Sequence, residues 1–401
     1  MIYIHIPFCR SFCTYCGFYS ETVAGCRRSG DVFKGNALSE DYAAAVEAEI
    51  KARQEELERV SASDGADTLY VGGGTPSVLT PDFYERILKA LGYGGFTEFT
   101  MEVNPEDIVG KGPSYVEKLL KLGVNRISMG IQSFDDGILK WMNRRHTAER
   151  AVEAYRILES AGVENISIDL IFGLPQLTDA LWSETIDKAL NISRRGTLPK
   201  HISAYQLSVE EGSMVERMIA AGRWSEASDE VCRMQYAVLC RALAAGGYNH
   251  YEISNFALPG FEAMHNSAYW HHVPYIGLGP GAHSFMPTVS SENPLFCPSY
   301  RTVRQWNIPD LKAYYGAGKC GDLSSVQERE FLDEGQIVIE KVMLGLRTSD
   351  GVSADFLRRH CDRDMLEKAL ATGHLVPHGK DCLRIPEEHF FISDSIISSL
   401  V

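Results

Sequence analysis

The chain has 401 residues, a formal net charge of −14 and a hydrophobic fraction of 45%. These values are typical of a folded globular protein with two or three domains, and they exclude large-scale disorder. No apolar run reaches the roughly 18 residues that a membrane span requires, and the first residues lack the basic segment of a secretory signal. The acidic balance argues against a nucleic-acid partner. We therefore expect a cytoplasmic protein that does not bind nucleic acid.

Short apolar runs alternate with helical stretches through the first half of the chain. Runs rich in Ile, Val, Tyr and Phe predict six strands, at residues 1–6, 68–72, 97–103, 126–131, 165–171 and 201–207. Helix-forming stretches bounded by Pro or Gly predict helices at residues 39–59, 81–91, 113–122, 147–161 and 179–192. This alternation indicates an α/β fold with a parallel sheet. Six units fall short of a closed eight-stranded barrel, so we expect an open, partial (β/α)6 barrel with functional residues at the C-terminal ends of its strands.

The strand–helix alternation ends near residue 207. A helix is predicted at residues 229–245, an irregular loop at 293–307, a helix at 326–347 and a hairpin at 374–385. The last part of the chain therefore predicts a small, mainly helical or winged-helix-like domain. We divide the chain into a core barrel at 1–210, an extension at 211–325 and this C-terminal domain at 326–401.

Three of the ten cysteines lie close together, directly after the first predicted strand. Cys9, Cys13 and Cys16 have the spacing C-x3-C-x2-C. Three thiolates on one loop can hold three irons of a [4Fe–4S] cluster and leave the fourth iron open to a chelating ligand. A three-ligand zinc site, a labile disulfide and chance are the alternatives. Structural zinc sites usually have four ligands and disulfides are rare in a reducing cytoplasm, so the spacing favours the cluster.

This spacing, with Tyr15 before the last cysteine, resembles the signature of radical SAM enzymes. The segment YIHIPFC at residues 3–9 narrows the resemblance to the oxygen-independent coproporphyrinogen III oxidase family. Further similar motifs follow in the same order and span most of the chain: GGGTP at 72–76, MEVNP at 101–105, SMGIQSF at 128–134, IDLIFGLP at 168–175 and GLGPGAHS at 277–284. The resemblance implies that S-adenosylmethionine (SAM) binds the open iron. An electron from the cluster then cleaves SAM to methionine and a 5′-deoxyadenosyl radical.

The resemblance also implies which side chains contact the cofactor. In this family the matching positions bind SAM or pack against it, and here they are Tyr3, Tyr15, Gly73, Gly74, Thr75, Glu102, Gln132, Arg144 and Asp169. Gly73, Gly74 and Thr75 are implied to contact the methionyl end of SAM, and Glu102 its ribose or amino group. From the residues alone, a tight turn, a surface edge, buried hydrogen bonds or ordinary aromatic packing remain alternatives. Asp169 lies in an apolar strand, and we expect Arg144 to pair with it.

A second motif, H-N-x-x-Y-W at residues 265–270, resembles the heme chaperones of the same family. Histidine is a common axial ligand of heme iron, and Tyr269 and Trp270 offer apolar faces for a porphyrin. We therefore predict that His265 binds heme, with His283 as the next candidate. His271 and His272 lie nearby in the sequence. The alternative is that His265 is a packed, hydrogen-bonded histidine.

One departure from the oxidase pattern favours a chaperone. The oxidases carry another cysteine two residues after the third cluster ligand, where this chain has Phe18. We therefore predict a heme chaperone with three cofactors, a [4Fe–4S] cluster, SAM and heme, that delivers heme to apoprotein acceptors such as respiratory cytochromes. An electron donor such as flavodoxin or ferredoxin, and a peripheral membrane contact, are further expectations. The alternatives are the oxygen-independent coproporphyrinogen III oxidase and, more remotely, a radical SAM enzyme with another substrate. Whether the protein is an enzyme stays open at this point.

Overall fold

The computed structural model describes residues 1–23, 37–62, 67–92, 95–287 and 302–401. Its strands, in chain order, are β1 (Ile2–Ile6), β2 (Phe8–Cys9), β3 (Glu21–Thr22), β4 (Thr68–Gly73), β5 (Glu98–Val103), β6 (Arg126–Gln132), β7 (Asn165–Phe172), β8 (His201–Gln206), β9 (Asn249–Glu252), β10 (Asn255–Ala257), β11 (Ile276–Leu278), β12 (His283–Pro287), β13 (Thr302–Asn307), β14 (Gln327–Leu332), β15 (Val352–Ser353), β16 (Val376–His378) and β17 (Cys382–Arg384).

The helices surround the main sheet and build the C-terminal part of the chain. They are α1 (Ala37–Ala52), α2 (Gln54–Ser61), α3 (Pro81–Leu91), α4 (Pro105–Lys111), α5 (Pro113–Lys121), α6 (Asp136–Trp141), α7 (Ala148–Ser160), α8 (Asp179–Leu190), α9 (Met214–Ala220), α10 (Asp229–Ala245), α11 (Met264–Trp270), α12 (Leu311–Cys320), α13 (Glu334–Gly345), α14 (Ala354–His360), α15 (Arg363–Ala371) and α16 (Ser393–Leu400). Short 3-10 helices occur at Pro76–Val78, Ser324–Val326 and Glu387–Ile392.

The main sheet confirms the predicted open parallel barrel. Strands β1 and β4 to β8 lie side by side in chain order, and every neighbouring pair among them is parallel. The sheet also contains strands that the sequence did not predict: β11 adds parallel to β1, and β10 and β9 add antiparallel beyond β8. These strands are only three or four residues long, which is too short for an alternating pattern to stand out.

The two faces of the parallel strands differ in polarity. The outer face, which packs against the helices, is apolar and fully buried, as at Val71, Met101, Met129 and Ile168. Because side chains alternate along a strand, the intervening residues point into the barrel, and these are mostly polar. Buried examples are Thr68, Thr100, Ser128, Ser167 and His201. The barrel therefore encloses a polar column that ends at the C-terminal ends of the strands.

The predicted helix at 39–59 is divided into α1 and α2 at Arg53. The Arg53 side chain is buried and donates hydrogen bonds to Glu49, to the backbone oxygen of Gly277 and to Ser284. The side chain therefore ties the break between the two helices to β11 and β12. A buried guanidinium needs such partners because its charge is costly to bury alone.

The C-terminal half differs from the prediction in two segments. Of the loop predicted at 293–307, residues 302–307 instead form the middle strand of an antiparallel sheet with the order β12-β13-β14, and the rest lies outside the described residues. The helix predicted at 326–347 starts later, at α13, because Asp333 and Gln336 form a capping box at its N-terminus. The predicted hairpin is confirmed as β16 and β17. Within the described ranges, no helix is both long and apolar enough to cross a membrane.

Candidate functional site

A cavity of about 1340 Å³ opens where the parallel strands of the barrel end. Its walls are the loop after β1, the ends of β4 to β8, and the first turn of α9. Most of the residues that the sequence singled out line it, namely Cys9, Cys13, Tyr15, Cys16, Gly73, Gly74, Thr75, Glu102, Gln132, Arg144 and Asp169. Tyr3, His265 and His283 do not.

The cysteine loop is held in place by hydrogen bonds from two neighbouring segments. The backbone N–H of Thr14 donates to Met142, and the Thr14 oxygen accepts from Val215 at the start of α9. The Asn143 side chain donates to the backbone oxygen of Phe12, at 2.6 Å. Asn143 itself has a φ of 57°, a left-handed conformation that asparagine tolerates better than most residues. The loop is therefore positioned by the rest of the protein and not by its own residues alone.

The three thiols sit in different surroundings on this loop. The Cys9 sulfur is buried and lies 3.4 Å from the Thr75 hydroxyl, and Arg144 donates to the Cys13 sulfur at 3.4 Å. Burial raises the pKa of the Cys9 thiol, and it raises the pKa of Cys16 to about 11. Thiols in such surroundings become thiolates when a bound metal supplies positive charge.

This donor set fits a cubane cluster. All of the cysteines in the described residues are free, and no three His, Cys, Asp or Glu side chains there converge closely enough to hold a single metal ion. A [4Fe–4S] cluster has a different requirement, because each thiolate binds a different iron. Three cysteines that line one cavity can each offer a thiolate to a different iron.

The glycine turn after β4 passes directly beneath the cysteine loop. The N–H of Gly74 donates to the Ile6 oxygen at 2.8 Å. A Cβ at Gly74 would lie 2.9 Å from the backbone oxygens of both Ile6 and Phe8, and one at Gly73 would lie 2.6 Å from the His5 ring. Gly73 also has a φ of 105°, which disfavours any other residue. No side chain fits here, so a ligand can approach the backbone of the turn closely.

Glu102 is the acid nearest to this turn. Its carboxylate accepts hydrogen bonds from the Tyr70 hydroxyl at 2.8 Å and from the N–H of Gly73 at 3.2 Å. Enclosure in the cavity raises the pKa of Glu102 to about 7, and the nearby Asp169 carboxylate acts in the same direction. An acid whose pKa lies near neutral pH in a cavity is typical of a ligand-binding position.

We expect SAM affinity to depend on pH through Glu102. The carboxylate is mainly protonated at pH 6 and mainly ionised at pH 8, and the ionised form accepts stronger hydrogen bonds. SAM binding should therefore weaken as the pH falls from 8 to 6, by up to about tenfold. Isothermal titration of cluster-loaded protein measures this. The control is Glu102→Gln, which should bind SAM more weakly with little pH dependence; identical profiles for both proteins would contradict the assignment.

Gln132 and Arg144 shape the opposite wall of the cavity. Gln132 has a φ of 70° at an irregularity in the pairing of β6 with β7. Strained backbone of this kind is often found at functional sites. Arg144 donates to the Asn104 side chain and to the Gly130 oxygen, both at 2.6 Å, in addition to Cys13. Arg144 therefore connects the cysteine loop to the ends of β5 and β6.

The predicted pairing of Arg144 with Asp169 is wrong. Asp169 instead accepts hydrogen bonds from Ser128, at 3.0 Å to each carboxylate oxygen, and from Ser167 at 3.4 Å. Burial raises the pKa of Asp169. The terminal nitrogens of Arg144 are instead directed to Asn104, Gly130 and Cys13.

The two predicted tyrosines lie at different depths. Tyr15 lines the cavity beside the cysteines. Tyr3 lies within the barrel, where its ring centroid is 6.1 Å from that of Tyr70 and its hydroxyl is 3.1 Å from the His5 ring. The structure therefore places Tyr15 within reach of a ligand in the cavity, and Tyr3 behind the Tyr70–Glu102 pair.

His265 lies inside the protein and not on a surface. Its side chain is fully buried, Nδ1 is 2.7 Å from the Thr68 hydroxyl and Nε2 is 3.0 Å from the Tyr269 hydroxyl. Burial lowers its pKa to about 3. Heme ligation by His265 stays a prediction, and it would require one of these two buried hydrogen bonds to break.

Helix α11, which contains His265, borders a second groove of about 560 Å³ with its outer face. Ser267, Trp270 and His271 form one wall of this groove, and the C-terminal residues His378 and Arg384 form part of the other. His271 is hydrogen-bonded to Asp350 at 3.1 Å. His272, next along the chain, is bonded to Glu340 at 2.9 Å. The two histidines that follow the motif therefore make intramolecular contacts outside the main cavity.

His283 is exposed at the start of β12, where its ring stacks on Trp306 with centroids 5.7 Å apart.

Sequence reasoning missed other residues that take part in the cavity. Tyr70 and Ser128 hold the two acids, and Asn104 holds Arg144. Asn104 lies within the MEVNP motif, so the motif contained a usable signal. Tyr70 and Ser128 are recognisable only from their alternation with buried apolar residues.

Comparison with known proteins identifies the family. A sequence model of the radical SAM superfamily matches residues 3–189. The heme chaperone HemW of Lactococcus lactis is 32% identical over 355 residues, which cover 87% of this chain and 82% of that protein. The chain belongs to the HemW family of radical SAM proteins. HemW of Bacillus subtilis is 31% identical and covers 88% of this chain and 84% of its own length. The coproporphyrinogen III oxidase HemN of Escherichia coli shares the fold, with a TM-score of 0.73 at 19% identity over 99% of this chain and 89% of that one.

Membership in this superfamily implies a [4Fe–4S] cluster and SAM, and the residues of the cavity fit both. When bound, this pair supplies one-electron chemistry. The residues that would hold and orient it are three thiols on an anchored loop, a glycine turn without side chains, and two acids that accept hydrogen bonds from Tyr70 and Ser128.

Proposed function

We propose that this protein is a heme chaperone that holds a [4Fe–4S] cluster and SAM in the strand-end cavity and delivers heme to apoproteins. The observation that carries this choice over the oxidase is Phe18. Its side chain lines the cavity and is 69% exposed, at the position where the oxidases of the resembling family carry an additional cysteine. The relatives named heme chaperones, about 30% identical over most of the chain, support the same choice.

Individual residues have the following proposed roles. Cys9, Cys13 and Cys16 hold the cluster. The SAM-binding residues are Tyr15, Gly73, Gly74, Thr75, Glu102, Gln132, Arg144 and Asp169, with Tyr3 supporting them from inside the barrel. From the sequence, His265 and His283 are the predicted heme ligands, and heme titration of a His265 variant tests that prediction against the site at the cavity mouth proposed below.

Partners follow from this role. Heme-accepting apoproteins are implied by the family, and respiratory cytochromes are our proposal for them. A flavodoxin or ferredoxin is our proposal for the electron donor, because cleavage of SAM to methionine and a 5′-deoxyadenosyl radical consumes one electron. Three thiols held for a cluster suit a reducing compartment such as the cytoplasm. A peripheral membrane contact would bring the protein close to membrane cytochromes.

One experiment separates the chaperone from the oxidase. Protein reconstituted anaerobically with iron, sulfide and SAM is given heme, and heme transfer to an apo-cytochrome is followed in the Soret region. The same sample is given coproporphyrinogen III and reductant. We expect about one heme per chain, its transfer to the acceptor, and no turnover of the porphyrinogen. Repeated turnover to protoporphyrinogen IX, without heme transfer, would establish the oxidase instead.

A further inference from the structure

The mouth of the cavity exposes an apolar surface. Among the described residues, Phe18 and Phe12 have the most exposed large apolar side chains, at 69% and 50%, and both lie on the cysteine loop. Met214 and Tyr205, at 48% and 42%, line the same cavity. Clustered exposed apolar residues of this kind mark binding sites. We call these four residues the apolar rim.

The cavity is larger than a single-ligand site. Pockets for small ligands are roughly 300–1,000 Å³, whereas this cavity is about 1340 Å³. The cluster and SAM are expected near the glycine turn and Glu102, at the ends of β4 and β5. The apolar rim belongs to the loop after β1, to β8 and to α9. Space therefore remains above the predicted SAM site for a second, flat and mainly apolar ligand.

Cations accompany the apolar rim on one side. Lys140 and Arg217 line the cavity and make no ion pair with any residue in the described part of the chain. Arg217 lies three residues after Met214 on α9, so the two side chains share one face of that helix. The acids Glu210 and Glu211 lie in the segment before α9. A ligand with an apolar body and carboxylates at one edge matches this arrangement, and heme has that composition.

The lining also limits which residue can bind the heme iron. It contains no histidine among the described residues. Proteins bind heme iron through His, Cys, Met or Tyr, and the three cysteines belong to the cluster. Four tyrosines also line the cavity. Tyr70 and Tyr19 donate to Glu102 and Glu21, Tyr15 lies on the cysteine loop, and Tyr205 belongs to the apolar rim. Met214 carries the one thioether among the described lining residues and is 48% exposed. Its helix is joined to the cysteine loop by the bond from Val215 to Thr14, at 3.0 Å.

We propose that heme binds at the mouth of this cavity, with its ring against Phe12, Phe18 and Tyr205, the Met214 thioether as an axial ligand and Arg217 paired with a propionate. This inference rests on the proposed function and assigns the heme to residues other than those of the HNSAYW motif. It brings the cargo directly onto the loop that carries the cluster. An acceptor protein must then approach the cysteine-loop face of the barrel.

The test compares heme titrations of cluster- and SAM-loaded variants. Met214→Leu keeps the apolar surface but removes the thioether, and we expect a shifted Soret band and a roughly tenfold higher Kd, equal to about 1.4 kcal/mol. Phe18→Ser and Arg217→Gln should weaken binding several-fold without shifting the band as far. The matched control is Met234→Leu on α10, where the methionine is 45% exposed and is not among the residues that line the cavity; it should behave as wild type.

Three other outcomes are decisive. If Met214→Leu and Met234→Leu give the same spectrum and affinity, the rim does not bind heme. If binding is lost in a folded His265→Ala or His271→Ala variant while Met214→Leu is unaffected, heme lies at the motif helix and the inference is overturned. If the wild-type protein binds no heme, the proposed function itself fails.

Discussion

Replacing Cys9, Cys13 or Cys16 by serine should remove most of the iron from anaerobically reconstituted protein, which we expect to hold about four irons per chain. A serine hydroxyl is a poor ligand for iron in such a cluster, and the loop offers no fourth cysteine as a substitute. Iron and sulfide analysis, together with the broad visible absorbance of the cluster, measures the loss. Because the loop is anchored by Met142, Asn143 and Val215, the variants should still fold.

The control for these variants is Cys320→Ser. Cys320 is exposed at the end of α12, away from the cavity lining, and its substitution should leave the iron content unchanged. Arg144→Met should reduce the iron content to an intermediate extent, because it removes the donor to the Cys13 sulfur while leaving all three ligands in place. Purified wild-type protein with one zinc and no sulfide would contradict the cluster and restore the zinc alternative.

The parallel barrel could be predicted because its signals are local and repeated. Each of the six strands is buried on its outer face and ends near a Gly, Pro or Asn. The predicted strand ends therefore agree with the observed ones to within one residue. The short edge strands β9, β10 and β11 carry no such signal, and their pairing depends on contacts with distant parts of the chain. Strand β14 lies where the sequence predicts a helix, because its exposed charged residues also suit a helix surface.

The site residues could be predicted individually, but not their contacts. Family motifs brought eleven of the residues to one cavity, yet the Arg144–Asp169 pair was wrong because carboxylate partners depend on three-dimensional distance. Ser128, on the neighbouring strand, donates a hydrogen bond to Asp169 on the inner face of the barrel. The apolar rim was also not foreseen as a unit, since Phe12, Phe18, Tyr205 and Met214 come from three separate segments. Their exposure is a property of the folded chain alone.

The HNSAYW motif has the residue types of a heme site, yet in the structure its side chains and backbone make contacts inside the protein. The backbone N–H groups of Met264 and His265 donate to Glu98, a buried acid at the start of β5. The His265 ring lies 5.2 Å from that of Tyr70, whose hydroxyl reaches Glu102. The motif helix thus closes the barrel at the end opposite the cavity. A role in positioning Tyr70 and Glu102 is consistent with all of these contacts.

His265→Ala should therefore lower the free energy of unfolding by about 3 kcal/mol. The substitution leaves the hydroxyls of Thr68 and Tyr269 without their buried partner and opens a cavity beneath Tyr70, and each unpaired group costs about 1–3 kcal/mol. Urea unfolding of the apoprotein measures this. The matched control is His271→Ala in the residue that follows the same helix, where the side chain is 51% exposed and the loss should stay below about 1 kcal/mol.

Heme titration of the same two variants separates packing from ligation. If His265 is a packing residue, His265→Ala should bind heme with unchanged Soret position under conditions where it is folded. His265→Gln should recover part of the lost stability, because an amide can donate to one hydroxyl and accept from the other. A folded His265→Ala protein with wild-type stability and no heme band would reverse the conclusion, since it would show that the buried hydrogen bonds contribute little and that the imidazole is released to bind iron.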